Sequence, residues 1–96
     1  MLPFYVYILR CRDGSYYTGH TDNLEKRIGE HYTGKIKCYT STRRPVKLVY
    51  IEEFASRAKA IQTERQIKGW SRAKKEAYIK ENYELLKKLS KRRTFK

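Results

Sequence analysis

The sequence predicts a small α/β sandwich, a three-stranded antiparallel sheet flanked by helices in the order ββαβαα. Three observations carry that prediction. Two short β-branched and aromatic runs flank an Asp-Gly pair near the start of the chain, the mark of a hairpin. A third alternating run follows Pro45. Between and after these runs, apolar residues recur at helical spacing behind small polar residues suited to capping.

Phe4 to Leu9 is apolar on both alternating faces, with Phe4, Val6 and Ile8 on one and Tyr5, Tyr7 and Leu9 on the other. A central strand covered on both sides needs that pattern. Asp13-Gly14 is expected at the centre of a tight turn in which both residues take positive φ, so that Ser15 to Gly19 pairs antiparallel with the first strand. Asp22 with Glu25 has the spacing of a capping box. Leu24, Arg27, Ile28 and His31 follow at helical spacing, to an end near Gly34. Val46 to Phe54 alternates as the third strand. Ser56 caps a helix to about Lys68, with Gly69 as its stop. Ser71 caps another through about Glu81, after which Tyr83, Leu85, Leu86 and Leu89 offer further apolar contact. No repeat or linker divides residues 1–96, which are expected to form one domain with one modest core.

Composition narrows the function classes. No apolar run approaches the roughly 18 residues that span a bilayer, and Met1 to Leu9 lacks the basic start and small-residue cleavage site of a secretory signal. The expectation is a cytoplasmic protein with no membrane partner. Cys11 and Cys38 then read as free thiols, and no Cys/His grouping has zinc-ligand spacing. The 23 Lys and Arg against 10 Asp and Glu give a net charge of +13, a field that attracts polyanions. Lys35 to Lys47 holds five basic residues and Lys87 to Lys96 six, neither with an acid. The first of these stretches mixes Lys35, Lys37, Arg43 and Arg44 with hydroxyls and Tyr39, the side chains that contact phosphates and stack on bases. Nucleic acid is the expected partner.

Charges also stand where a core should be apolar. Arg27 and His31 share a helical face with Leu24 and Ile28, and Glu64 falls between Ala60, Ile61 and Ile67. A partly buried Arg27–Glu64 ion pair is one solution to that pattern. Tyr7 and Tyr17, however, approach each other across the expected hairpin, although either alone reads as a core aromatic. A phenol, a guanidinium, an imidazole and a carboxylate converging on one sheet can position a phosphodiester, a metal and a water.

The same residues carry a resemblance. Tyr5-Val6-Tyr7 and Tyr17-Thr18-Gly19 resemble the Gly-Ile-Tyr and Tyr-Ile-Gly triplets that name the GIY-YIG nuclease family. Leu24 to His31 is similar to the family's helix with its arginine and following histidine, and Ala60 to Lys68 resembles its metal-binding helix. The three blocks span residues 4–68, in order, with a C-terminal helix and basic tail at 71–96. Tyr5 stands where the family name has glycine, and Thr18 where it has isoleucine. Many members carry a polar residue, often asparagine, on the helix after the metal glutamate. This chain offers Glu76 about there and Asn82 further on.

The resemblance implies a metal-dependent endonuclease that hydrolyses phosphodiester bonds, of DNA in preference to RNA, in repair or recombination. It implies that Glu64 holds one Mg²⁺ (or Mn²⁺) and that Arg27 binds a phosphate oxygen. Tyr7 would orient or deprotonate the attacking water with support from Tyr17, which requires positive charge nearby to lower a phenol pKa of about 10. His31 would share the base role or contact the phosphate, and the choice of base stays open. The implied product is a nicked strand with a 5′-phosphate and a 3′-hydroxyl. The chain most resembles small stand-alone bacterial members, so that target preference is expected from the basic surface, from nucleic-acid shape or from a protein partner. Two other readings fit the charge: a nucleic-acid-binding module that cleaves weakly, and an RNA- or ribosome-associated accessory protein.

Overall fold

The computed structural model describes residues 3–35 and 37–80. Its elements are β1 (Phe4–Arg10), β2 (Tyr16–Thr21), α1 (Leu24–Thr33), β3 (Lys47–Phe54), α2 (Arg57–Lys68) and α3 (Arg72–Ile79), with a short 3-10 turn at Tyr39–Thr42. The order ββαβαα is the predicted one. Asn82, the apolar stretch from Tyr83 to Leu89 and the basic tail lie outside the described residues.

The sheet runs β2-β1-β3, with both pairs antiparallel. The strand apolar on both faces takes the centre: Val6, Tyr7, Ile8 and Leu9 are all fully buried. Each such side chain contributes roughly 1.5–3 kcal/mol through apolar burial. On one face Val6 and Ile8 pack with Ala60 and Ile67 of α2, joined by Trp70, Tyr78 and Ile79. On the other, Tyr7, Leu9, Cys11 and Val46 pack with Leu24 and Ile28 of α1. The single core expected from chain length is therefore divided in two by the sheet.

Local details differ from expectation for identifiable reasons. The Gly14 N–H bonds the Cys11 carbonyl at 2.9 Å, so the central turn pair is Arg12-Asp13 and Gly14 follows it with φ 86. This turn needs one left-handed residue, and glycine meets that need without a Cβ penalty. Strand β2 runs two residues past Gly19, with Thr21 paired to Tyr5, which moves the start of α1 along the chain. Asn23 rather than Asp22 is the cap, its side chain accepting from the Lys26 N–H at 3.2 Å. Gly34, at φ 75, closes that helix. Ser56 and Ser71 cap α2 and α3 as predicted, though α3 ends at Ile79 rather than near Glu81. A register shift sets Ile8 opposite Tyr50 and Leu9 opposite Leu48. Val49 is the extra residue of this bulge, and it packs beside Tyr50 on the α2–α3 side while Leu48 faces α1.

Candidate active site

The hairpin register places Tyr7 opposite Gly19 and Tyr17 opposite Leu9. All four share the α1 face, and the two tyrosine rings lie 6.3 Å apart. Gly19 has a steric role here: a Cβ at that position would come within 2.5 Å of the Tyr7 hydroxyl and 3.1 Å of the Tyr17 ring. The Tyr7 hydroxyl therefore lies directly against β2. From there it meets His31 Nε2 at 2.8 Å, and His31 Nδ1 meets Thr40 Oγ1 at 2.8 Å. Both imidazole nitrogens are thus engaged, and the ring is fully buried.

Tyr17 is the hub. Its ring lies 5.1 Å from His31 and stacks at 6.3 Å and 19° on Tyr39, whose ring centroid lies 3.9 Å from the Arg43 guanidinium. Strand β2 is an edge strand, so Lys68 of α2 reaches round it to within 5.9 Å of the Tyr17 ring centroid. Lys68 Nζ also pairs with Glu64 Oε2 at 2.7 Å, and Glu64 Oε1 contacts His20 Nδ1. Two faces of the sheet thereby supply one site at the β2 edge.

Arg27 and Glu64 are not an ion pair. Arg27 Nε meets Glu30 at 3.3 Å, with its side chain 42% exposed at the rim, whereas Glu64 is buried with His20 and Lys68 as partners. The charge of each acts on Tyr17. Of the helical stripe read from the sequence, His31 is buried and Arg27 borders solvent.

The electrostatics correct one expectation. Burial, followed by the neighbouring Tyr17, pushes the Tyr7 phenol well above the ordinary tyrosine range, and Arg27 offsets only part of this. Burial likewise raises Tyr17, with the Cys38 thiol next in weight. Positive charge thus does not bring Tyr7 below its ordinary range, because removing a phenolate from water costs more than one rim guanidinium returns. Burial and the Arg27 charge both depress the pKa of His31, so its imidazole is neutral at pH 7. At Glu64, burial works to raise the pKa, but hydrogen bonds from Lys68 and His20 outweigh it and keep the carboxyl below its usual range.

The four loop cations divide. Arg43 bonds Asp13 at 3.1 Å and the Tyr39 carbonyl at 2.9 Å, and Arg44 bonds the Tyr32 carbonyl at 3.1 Å. These two brace the loop against the hairpin and α1. Lys35 and Lys37 are exposed. Glu76 does not join Glu64, since its carboxylate takes bonds from Tyr16 and Arg72, each at 3.2 Å. His20, Lys68 and Thr40 belong to the constellation and escaped the sequence reading. Alternation along β2 and the i, i+4 spacing from Glu64 were available signals for the first two; Thr40 had none.

Among the described residues no three His, Cys, Asp or Glu side chains cluster. An ionised, partly accessible carboxylate nevertheless fits a divalent ion that keeps most of its waters. Glu64 is therefore the residue that could hold such an ion.

The sequence profile of the GIY-YIG catalytic domain matches residues 3–90. A UPF0213 protein of Staphylococcus haemolyticus is 51% identical over 81 residues, covering 84% of this chain and 99% of that protein. One from Bacillus pumilus is 49% identical over 77 residues, covering 80% of this chain and 79% of its own length. Among solved structures, the solution NMR structure of the UPF0213 protein BH0048 from Bacillus halodurans superposes with a TM-score of 0.55 at 44% identity, covering 81% of this chain and 83% of that one. Protein EF2693 from E. faecalis gives 0.59 at 36% identity, covering 84% and 86%. With its triplets paired between the central strand β1 and the edge strand β2 and this profile spanning nearly all of its length, the chain belongs to the GIY-YIG catalytic-domain family.

Proposed function

We propose that the protein is a metal-dependent endonuclease that nicks DNA, acting in the cytoplasm in repair or recombination. The observation that carries this reading is the packing of Tyr17 against the buried Tyr7–His31 pair and beside Lys68, the ion-pair partner of Glu64, at the edge strand. Because its phenol is raised, Tyr7 acts as a neutral relay rather than as a phenolate. It donates its proton to Nε2 of the neutral His31 while its oxygen receives one from the attacking water, which leaves His31 as the base. Thr40 accepts from Nδ1–H and fixes the tautomer that this transfer needs. Arg27 binds a non-bridging phosphate oxygen and offsets the charge that builds on it.

Glu64 would hold the divalent ion, Mg²⁺ or Mn²⁺, and the chemistry that such an ion supplies is charge neutralisation on the phosphate oxygens. Lys35 and Lys37 offer exposed cations to the strand. Target preference comes from this surface or from a protein partner.

The test incubates supercoiled, branched and single-stranded DNA, and RNA, with the protein and Mg²⁺ or Mn²⁺, beside Glu64→Ala and Arg27→Ala. Wild type nicks DNA, and each variant loses about 10²-fold or more, the usual size of a lost charge-stabilising group. Equal nicking by all three proteins would refute the site. Binding with steep salt dependence but no cleavage by wild type would favour the weakly cleaving module, and preference for RNA the accessory-protein reading.

A further inference from the structure

We infer that His20 is a second protein donor to the divalent ion at Glu64, and that the resulting oxygen–nitrogen pair favours Mn²⁺, Zn²⁺ and related transition ions over Mg²⁺. The inference rests on the nuclease reading of Glu64 and extends it to a residue outside the two triplets.

The geometry begins with the pleat of β2. Tyr17 and Gly19 face α1, so Thr18 and His20 face α2, and His20 stands opposite Val6 in the register. On α2, Glu64 meets that face, and its Oε1 contacts His20 Nδ1. The carboxylate's other oxygen, Oε2, is held by Lys68 at 2.7 Å. Lys68 thereby orients the carboxylate and occupies the oxygen that a two-oxygen grip on an ion would need. Oε1 shares a proton with His20 Nδ1, and an ion would take the place of that proton between one carboxylate oxygen and one imidazole nitrogen.

Three further facts favour an ion there over a hydrogen bond alone. The His20 side chain is 31% exposed and that of Glu64 12%, so the buried carboxylate is reached from solvent on the His20 side. His20 Nδ1–H donates to Glu64 Oε1, and among the described residues Nε2 has no partner, so the ring proton can move to Nε2 and free the Nδ1 lone pair for an ion that replaces the bonded proton. The chain has two histidines, and His31 has both nitrogens committed to Tyr7 and Thr40. Any imidazole ligation among the described residues therefore belongs to His20. The chemistry sets the preference: imidazole suits the later first-row ions, whereas Mg²⁺ demands oxygen ligands and dehydrates reluctantly.

The experiment titrates the full chain, without nucleic acid, with Zn²⁺, Mn²⁺ and Mg²⁺ by calorimetry, and follows the imidazole resonances on Zn²⁺ addition by NMR. Wild type, His20→Gln, His20→Ala and Glu64→Gln are compared, with circular dichroism to establish folding. The glutamine at position 20 retains a hydrogen-bonding amide beside Glu64 but not a good nitrogen ligand. Zn²⁺ is expected to shift the His20 signals and leave those of His31. Both His20 variants lose at least about tenfold in Zn²⁺ and Mn²⁺ affinity, no less than an indirect ligand partner costs, and change Mg²⁺ affinity by under about threefold. If His20→Gln binds Zn²⁺ and Mn²⁺ as wild type does while Glu64→Gln does not, His20 only positions the carboxylate; this inference falls and the metal nuclease reading stands. If Glu64→Gln binds all three ions like wild type, the ion is not at Glu64 and both fall.

Discussion

Thr18 Oγ1 is a buried side-chain oxygen with no hydrogen-bond partner among the described residues. It lies between the two residues that matter most on β2, opposite Ile8 and under α2. Leaving a hydroxyl unsatisfied costs on the order of 1–3 kcal/mol. Thr18→Val keeps the β-branched shape and removes that oxygen. It is expected to raise the unfolding free energy by about 1 kcal/mol, read as a higher urea midpoint at unchanged slope; a lower midpoint would show that the hydroxyl has a partner. His31 gives the second prediction at this scale. Its folded pKa lies below the ordinary 6.5, so between those two values the unfolded chain binds more protons than the native one. Stability is therefore undiminished above 6.5 and falls as pH drops from there toward the folded pKa, below which the loss stops growing. His31→Gln should flatten this dependence in denaturation curves between pH 7 and 5, and an unchanged slope would place the proton uptake elsewhere. Neither residue's environment is legible from the chain alone, because Thr40 and α2 reach them from distant positions.

At the scale of elements, α1 delivers Arg27 and His31 from one helix whose start is set by Asn23 and whose end is set by Gly34. Asn23→Ala removes the side-chain acceptor for the Lys26 N–H and should cost about 1 kcal/mol. The consequence reaches the site, since fraying of the first turn loosens Arg27 before it reaches His31. Hydrogen exchange should accordingly speed at Lys26 and Arg27 while the His31 amide stays protected; uniform loss of protection would mean that the helix opens as one unit. The elements themselves were readable: two strands around a glycine turn, a third strand after Pro45, and helices behind Ser56 and Ser71 all follow from period and cap chemistry. Their ends were less so. Pairing of Thr21 with Tyr5 lengthened β2 and displaced the expected cap from Asp22 to Asn23, and strand pairing is a long-range event that no local window contains.

For the whole molecule, the charge of +13 acts on any nucleic acid through its phosphates, and no described helix is long and apolar enough to cross a membrane. Log affinity should fall linearly with log salt concentration. Arg43 and Arg44 are tied to protein partners, whereas Lys35 and Lys37 are exposed. Replacing both lysines by alanine should then reduce the magnitude of the salt slope by about two, one for each lost phosphate contact. An unchanged slope would move the binding face off this loop. The sequence by itself determined the order of strands and helices, the pairing of the two tyrosine triplets and the placing of Arg27 and Glu64 on helical stripes shared with apolar residues, because period and turn chemistry are local. Tertiary structure alone decided that Arg27 and Glu64 stay apart, that Tyr7 is buried against His31, and that His20 and Lys68 gather on Glu64. Those outcomes depend on where the faces of α1 and α2 meet an edge strand, and packing sets that position across separations of up to 44 residues.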